Sequence, residues 1–107
     1  MSDDLVKVAS LDSFDRSGLQ VVDLNGREVL LCRSGQAVYA VDNLCSHAAE
    51  RLCNGRLKGD RIFCPLHGAA FDIKTGEALS RPASVPIETF EVVLSEGDIF
   101  LRTGGEG

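Results

Sequence analysis

The chain has two histidines, and each stands close behind a cysteine. The first pair is Cys45-Ser46-His47 and the second is Cys64-Pro65-Leu66-His67. Four cysteines with three following positions each make twelve such slots among 107 residues. Chance would fill two of them with both histidines in roughly one chain in a hundred, so the spacing reads as a ligand signal. Thiolate sulfur and imidazole nitrogen are good ligands for both iron and zinc. A short Cys-to-His spacing on a turn brings both side chains to one side. Each loop can then grip two adjacent metal atoms, one through sulfur and one through nitrogen. Gly68 lets the backbone bend sharply beside the metal, and Pro65 stiffens the second loop.

Composition narrows the setting. A chain of 107 residues suits one domain with a single modest core, to which a metal centre could add stability. Apolar residues make up 44%, which excludes a disordered composition. The net charge of −5 argues against a nucleic-acid binder, which needs basic residues against phosphates. It is compatible with a carrier steered toward a partly basic partner. No segment approaches the run of about 18 apolar residues that a membrane helix needs. Met1-Ser2-Asp3-Asp4 lacks the positive and apolar regions of a signal peptide. The expectation is a cytoplasmic protein without membrane association, whose cysteines are metal ligands or free thiols rather than disulfides.

Strands dominate the local pattern. Leu5, Val6 and Val8 suggest a first strand, and residues 19–24 a second. Asn25-Gly26 is a hairpin signal, because both residues tolerate positive φ; residues 28–32 form the return strand. After Ser34-Gly35, residues 36–41 continue the meander. Residues 42–60 lack periodicity and are expected to be a functional loop. Strands follow at 61–64 and 70–73, then a loop punctuated by Pro82 and Pro86. A Val-rich strand covers 88–94, and Ser95-Glu96-Gly97-Asp98 turns it into 99–102. The glycine-rich tail is expected to fray. No helical period lasts three turns, so the fold class is all-β, an antiparallel sandwich or partly open barrel.

The pattern Cys45-x-His47, sixteen intervening residues, then Cys64-x-x-His67-Gly68 resembles that of Rieske proteins. Leu57, Gly59-Asp60, Ile62, Phe71-Asp72 and Thr75-Gly76 also fall where Rieske ferredoxins place similar residues, and the likeness runs from the first strand to Arg102. It implies a single Rieske domain over 1–107 with a cluster-binding subdomain at about 43–76. It implies one [2Fe–2S] cluster, with Cys45 and Cys64 on an inner ferric iron and His47 and His67 on an outer iron that takes the electron. Replacing two thiolates by imidazoles leaves less negative charge on that iron and raises the potential.

Subclass follows from what is missing. Rieske subunits of cytochrome complexes carry a disulfide between the two loops, and here those positions hold Glu50 and Leu66. They also place a serine and a tyrosine where hydroxyls reach cluster sulfurs; here those positions hold Ala69 and Phe71. Donors near sulfur stabilise the reduced cluster, so their loss predicts a potential near the low end of roughly −150 to +300 mV. The resemblance is therefore to the soluble ferredoxins of aromatic-ring-hydroxylating oxygenases. Such a protein is a monomeric one-electron carrier, not itself an enzyme. It takes electrons from a flavin-dependent reductase and passes them to a terminal oxygenase. An oxygenase large subunit would need a long catalytic domain for which 107 residues leave no room.

Two other readings compete. The small Rieske-like subunit of an assimilatory nitrite reductase ranks lower, because many such subunits lack the ligands and this chain keeps all four. A zinc-stabilised interaction module fits less well, since zinc sites usually space their first pair by two to four residues and Cys45 and His47 have one between them. Cys32 reads as a buried apolar residue. Cys53 lies in the first loop as a shielding residue or incidental thiol, outside the complete ligand set. Arg51, Arg56 and Lys58 read as a solvated face. Ala48, Ala49, Leu66 and Pro82 would form an apolar collar round the histidines, for packing or for docking.

Overall fold

The structure is a computed structural model that describes residues 5–44, 50–65, 69–80 and 85–102. Cys45, His47, Ala48, Ala49, Leu66, His67, Gly68, Pro82 and the glycine-rich tail lie outside the described residues. The described residues form eleven strands in three antiparallel sheets, with no α-helix among them. The sheets do not close into a barrel, so the all-β expectation holds in its open form.

The central sheet is built on local turn chemistry. Strand β2 (Leu19–Leu24) returns as β3 (Arg27–Ser34) through Asn25 and Gly26, whose φ values are 56° and 87°. Two left-handed residues match the twist of the flanking strands. The Asp23 carboxylate fixes the turn by accepting the Gly26 N–H at 2.6 Å. Strand β4 (Ala37–Asp42) pairs with β3, and the short β9 (Thr89–Phe90) completes the order β2-β3-β4-β9.

This sheet is buried on both faces, which is why Val29, Leu30, Leu31 and Cys32 run without a polar residue and are all fully buried. Val29 and Leu31 point into one core, with Val22, Val38, Ile99 and Leu101. Leu30 and Cys32 point into the other, with Val41, Leu52, Ile62 and Phe71. The first core is covered by the sheet of β1 (Leu5–Ser10), β11 (Asp98–Arg102) and β10 (Val92–Ser95), in the order β1-β11-β10. The second is covered by β5 (Arg56–Lys58), β6 (Arg61–Phe63), β7 (Ala70–Asp72) and β8 (Ala78–Ser80).

Three expectations change. Residues 42–60 are not all loop, because a 3-10 turn at Leu52–Asn54 and strand β5 lie within them. Strand β8 also has no counterpart in the sequence reading. Three residues are too few to show alternation; pairing with β6 and β7 makes these segments strands. The predicted strand at 88–94 is two strands, β9 and β10, in different sheets. Glu91 separates them, its C=O accepting the Arg102 N–H at 3.1 Å and its carboxylate pairing with the Arg102 guanidinium at 2.9 Å.

Candidate metal centre

Both Cys/His segments hang from bases that the fold fixes. Beyond β4 the chain passes through Asn43 to Leu44, which forms an antiparallel bridge with Arg51. The Leu52 N–H then donates to the Asn43 C=O at 2.6 Å. The chain between these points holds Cys45 and His47. The second base lies between β6 and β7, where the Cys64 N–H donates to the Ala69 C=O at 2.7 Å. Leu66–Gly68 connect these residues. Cys64, the one predicted ligand within the described residues, is 3% exposed and packs in the core with Ala69 and Phe71.

A close backbone approach brings the two bases together. Gly55 ends the Leu52–Asn54 turn, and its N–H donates to the Leu52 C=O at 2.9 Å. A Cβ on Gly55 would lie 1.8 Å from the carbonyl oxygen of Phe63, the residue before Cys64. Only glycine permits this contact. It seats the exit of the first loop against the entrance of the second, and the Arg56–Phe63 pairing continues it.

Asn43 governs the first base and was not singled out in the sequence. Among the described residues it is the one buried polar residue. Its Nδ2 donates to Glu28 Oε1 at 3.0 Å, and its Oδ1 accepts the Cys53 N–H at 2.9 Å. Arg51 Nε reaches the same Glu28 oxygen at 2.8 Å. The Asn43 hydrogen bond, then the Arg51 guanidinium, holds the Glu28 carboxyl below the usual range, and Glu28 raises Arg51 in turn. Neighbouring Arg27 pairs with Asp42 at 3.0 Å and Glu88 at 2.6 Å, and lies 5.0 Å from the Phe90 ring centre. Asn43 carried no sequence signal beyond that of an ordinary turn former after a strand.

The other cysteines take distinct places. Cys32 is fully buried, and desolvation pushes its thiol up to about 12. That suits an inert core residue, as expected. Cys53 is half-buried, with its Sγ 3.6 Å from Asn43 Nδ2. Arg51, Arg56 and Lys58 are exposed, as a solvated face should be. Ala69 and Phe71 are fully buried, so the residues flanking Cys64 on this side are apolar.

The donor set and its setting fit an iron–sulfur cluster. The Cys64 thiol is buried among apolar side chains, a water-poor setting that suits a thiolate ligand of an iron–sulfur cluster. Among the described residues no group of three His, Cys, Asp or Glu side chains comes together to hold a metal.

Comparison with known proteins agrees. Residues 4–91 match the Rieske [2Fe–2S] domain family. The ferredoxin component of the naphthalene 1,2-dioxygenase/salicylate 5-hydroxylase systems of a Ralstonia species is 36% identical, over 95% of this chain and 98% of that one. The ferredoxin of carbazole 1,9a-dioxygenase from Nocardioides aromaticivorans IC177 superposes with a TM-score of 0.86 at 36% identity, covering 91% of this chain and 95% of that one. A ferredoxin solved in complex with the oxygenase of carbazole 1,9a-dioxygenase gives 0.86 at 32% identity, with 94% of both chains covered. Fold, loop bases and relatives converge: this chain belongs to the Rieske [2Fe–2S] family, among its ferredoxins, and its cofactor is one Rieske-type [2Fe–2S] cluster.

Proposed function

We propose that the protein is the one-electron carrier of a multicomponent aromatic-ring-hydroxylating oxygenase, with Cys45 and Cys64 on one iron and His47 and His67 on the other. The observation that carries this is the end-to-end likeness to a dioxygenase ferredoxin component, 98% of which the match covers. A flavin-dependent reductase supplies the electron and a terminal oxygenase receives it, so the protein is not an enzyme by itself. In this reading the chain is one domain over 1–107 with its cluster-binding subdomain at about 43–76, and works as a cytoplasmic monomer. Among the described residues no helix is long and apolar enough to cross a membrane.

When bound, the cluster takes up and returns one electron without making a bond to substrate. The chain's own residues set the terms. Cys64 lends its thiolate from a buried position, where little reorganisation accompanies a change of charge. Ala69 and Phe71 bring no hydroxyl, which favours a potential near the low end of roughly −150 to +300 mV.

The test is an EPR spectrum of the dithionite-reduced protein. Mixed Cys/His ligation gives a lower average g than all-Cys clusters, and each of C45S, H47A, C64S and H67A should abolish it. A colourless protein with stoichiometric zinc would overturn the assignment. The carrier role is checked by adding the protein to a carbazole-type reductase and oxygenase, where product should form only when all three are present.

A further inference from the structure

Asn43 does more than fill a turn. Burying a carboxamide is costly unless its polar atoms are paired, and here they are. Its side chain joins Glu28 on β3 to the Cys53 backbone, and its own N–H and C=O bond to the Glu28 C=O at 3.3 Å and the Leu52 N–H at 2.6 Å. Glu28 Oε1 also receives Arg51 at 2.8 Å. One carboxylate oxygen therefore holds the residue that leads into the first loop and the residue that leads out of it. Only 45–50 lie between the paired ends Leu44 and Arg51, and they include Cys45 and His47. An apolar residue at 43 would keep the two backbone bonds but lose the side-chain ones, leaving Glu28 without one donor and the Cys53 N–H without its acceptor.

We propose that Asn43 is a positioning residue for the first cluster loop, fixing its span through the Glu28 carboxylate and the Cys53 backbone. This rests on the ligand assignment proposed above. Tying Leu44 to Arg51 restrains the short segment between them, which carries the ligands proposed above, and so slows release of the cluster and sharpens its ligand field.

The experiment compares holoproteins by chelator-driven loss of visible absorption and by EPR line width after reduction. Asn43→Ala should release the cluster roughly tenfold faster, the lower end of what supporting residues around metal ligands contribute. Its EPR lines should broaden. Ile99→Val, in the core on the far side of the central sheet, serves as a control for lost stability and should leave both readouts at wild type. If Asn43→Ala matches wild type, or if Ile99→Val reproduces its behaviour, the proposal is overturned. Should Asn43→Ala not accumulate as folded protein, Glu28 decides, because its side chain is 46% exposed and tolerates change. Glu28→Ala should speed release and Glu28→Gln, which keeps an oxygen acceptor, should restore it; equal release in both and in wild type overturns the clamp. Failure of the wild type itself to show the mixed-ligand signal would reject the ligand assignment instead.

Discussion

The side chains flanking Cys64 decide how readily its surroundings accept negative charge. Ala69 and Phe71 are fully buried and carry no donor. Serine is one oxygen larger than alanine and, at 69, would place a hydroxyl donor in the same packed cluster as the Cys64 sulfur. A net hydrogen bond is worth about 0.5–1.5 kcal/mol, and for one electron a tenfold change in equilibrium is about 59 mV. Ala69→Ser should therefore raise the midpoint potential by roughly 20–60 mV, measured by redox titration of the visible spectrum. An unchanged or lowered potential would reject the link between missing hydroxyls and low potential. Positions 64 and 69 were readable in the sequence because Cys-x-x-His-Gly counts residues along one short loop. Asn43 was not, since its meaning comes from Glu28, fifteen residues away in sequence and 3.0 Å away in space.

At the scale of elements, the two loop bases meet because Gly55 lies against the Phe63 carbonyl. Its φ of −95° is open to any residue, so the restriction is steric. Gly55→Ala forces β5 off β6 and should cost about 1–3 kcal/mol or more, as overpacking does, read by thermal unfolding of the holoprotein. The same variant should weaken cluster retention, because both loop bases shift; a stable variant with normal retention would refute the coupling. Asp60, in the turn between β5 and β6, ties their sheet to the central sheet. It accepts the Ser34 hydroxyl at 2.8 Å and pairs with Lys74 at 3.2 Å, and these contacts, Ser34 first, hold its carboxyl below the usual range. A depressed folded pKa gives stability that is present above the unfolded value, about 3.9, and is lost as pH falls through the folded one. The melting temperature of Asp60→Asn should thus lie below wild type at neutral pH and converge with it on acidification. A gap that stays constant down to about pH 3 would show that the carboxylate plays no such part. These tertiary ties explain why β5 and β8 escaped a reading by periodicity: three residues become a strand only when a neighbour supplies the register.

Across the whole molecule the central sheet divides two cores with different tasks. The hairpins were legible because Asn25-Gly26 and Glu96-Gly97 dictate their turns locally, with both residues of each pair at positive φ. The layering was harder to read, although the unbroken run Val29 to Cys32 is the mark of a strand covered on both faces. The division at Glu91 was hidden altogether, because a Val-rich run looks the same whether it stays in one sheet or changes to another. The family match ends at residue 91, yet β11 is the middle strand of its sheet, and Ile99 and Leu101 are fully buried in the core remote from Cys64. Stability and the electronic surroundings of the metal should therefore separate. Leu101→Ala removes about 2–5 kcal/mol, and each kcal/mol lowers the melting temperature of a domain this size by about 4–8 °C. The reduced-state EPR spectrum and the midpoint potential should stay at wild-type values, because Leu101 packs in one core and Cys64 in the other, on opposite faces of the central sheet. A shifted potential in Leu101→Ala would mean that the two cores deform together, and that the sheet between them transmits strain to the cluster loops instead of isolating them.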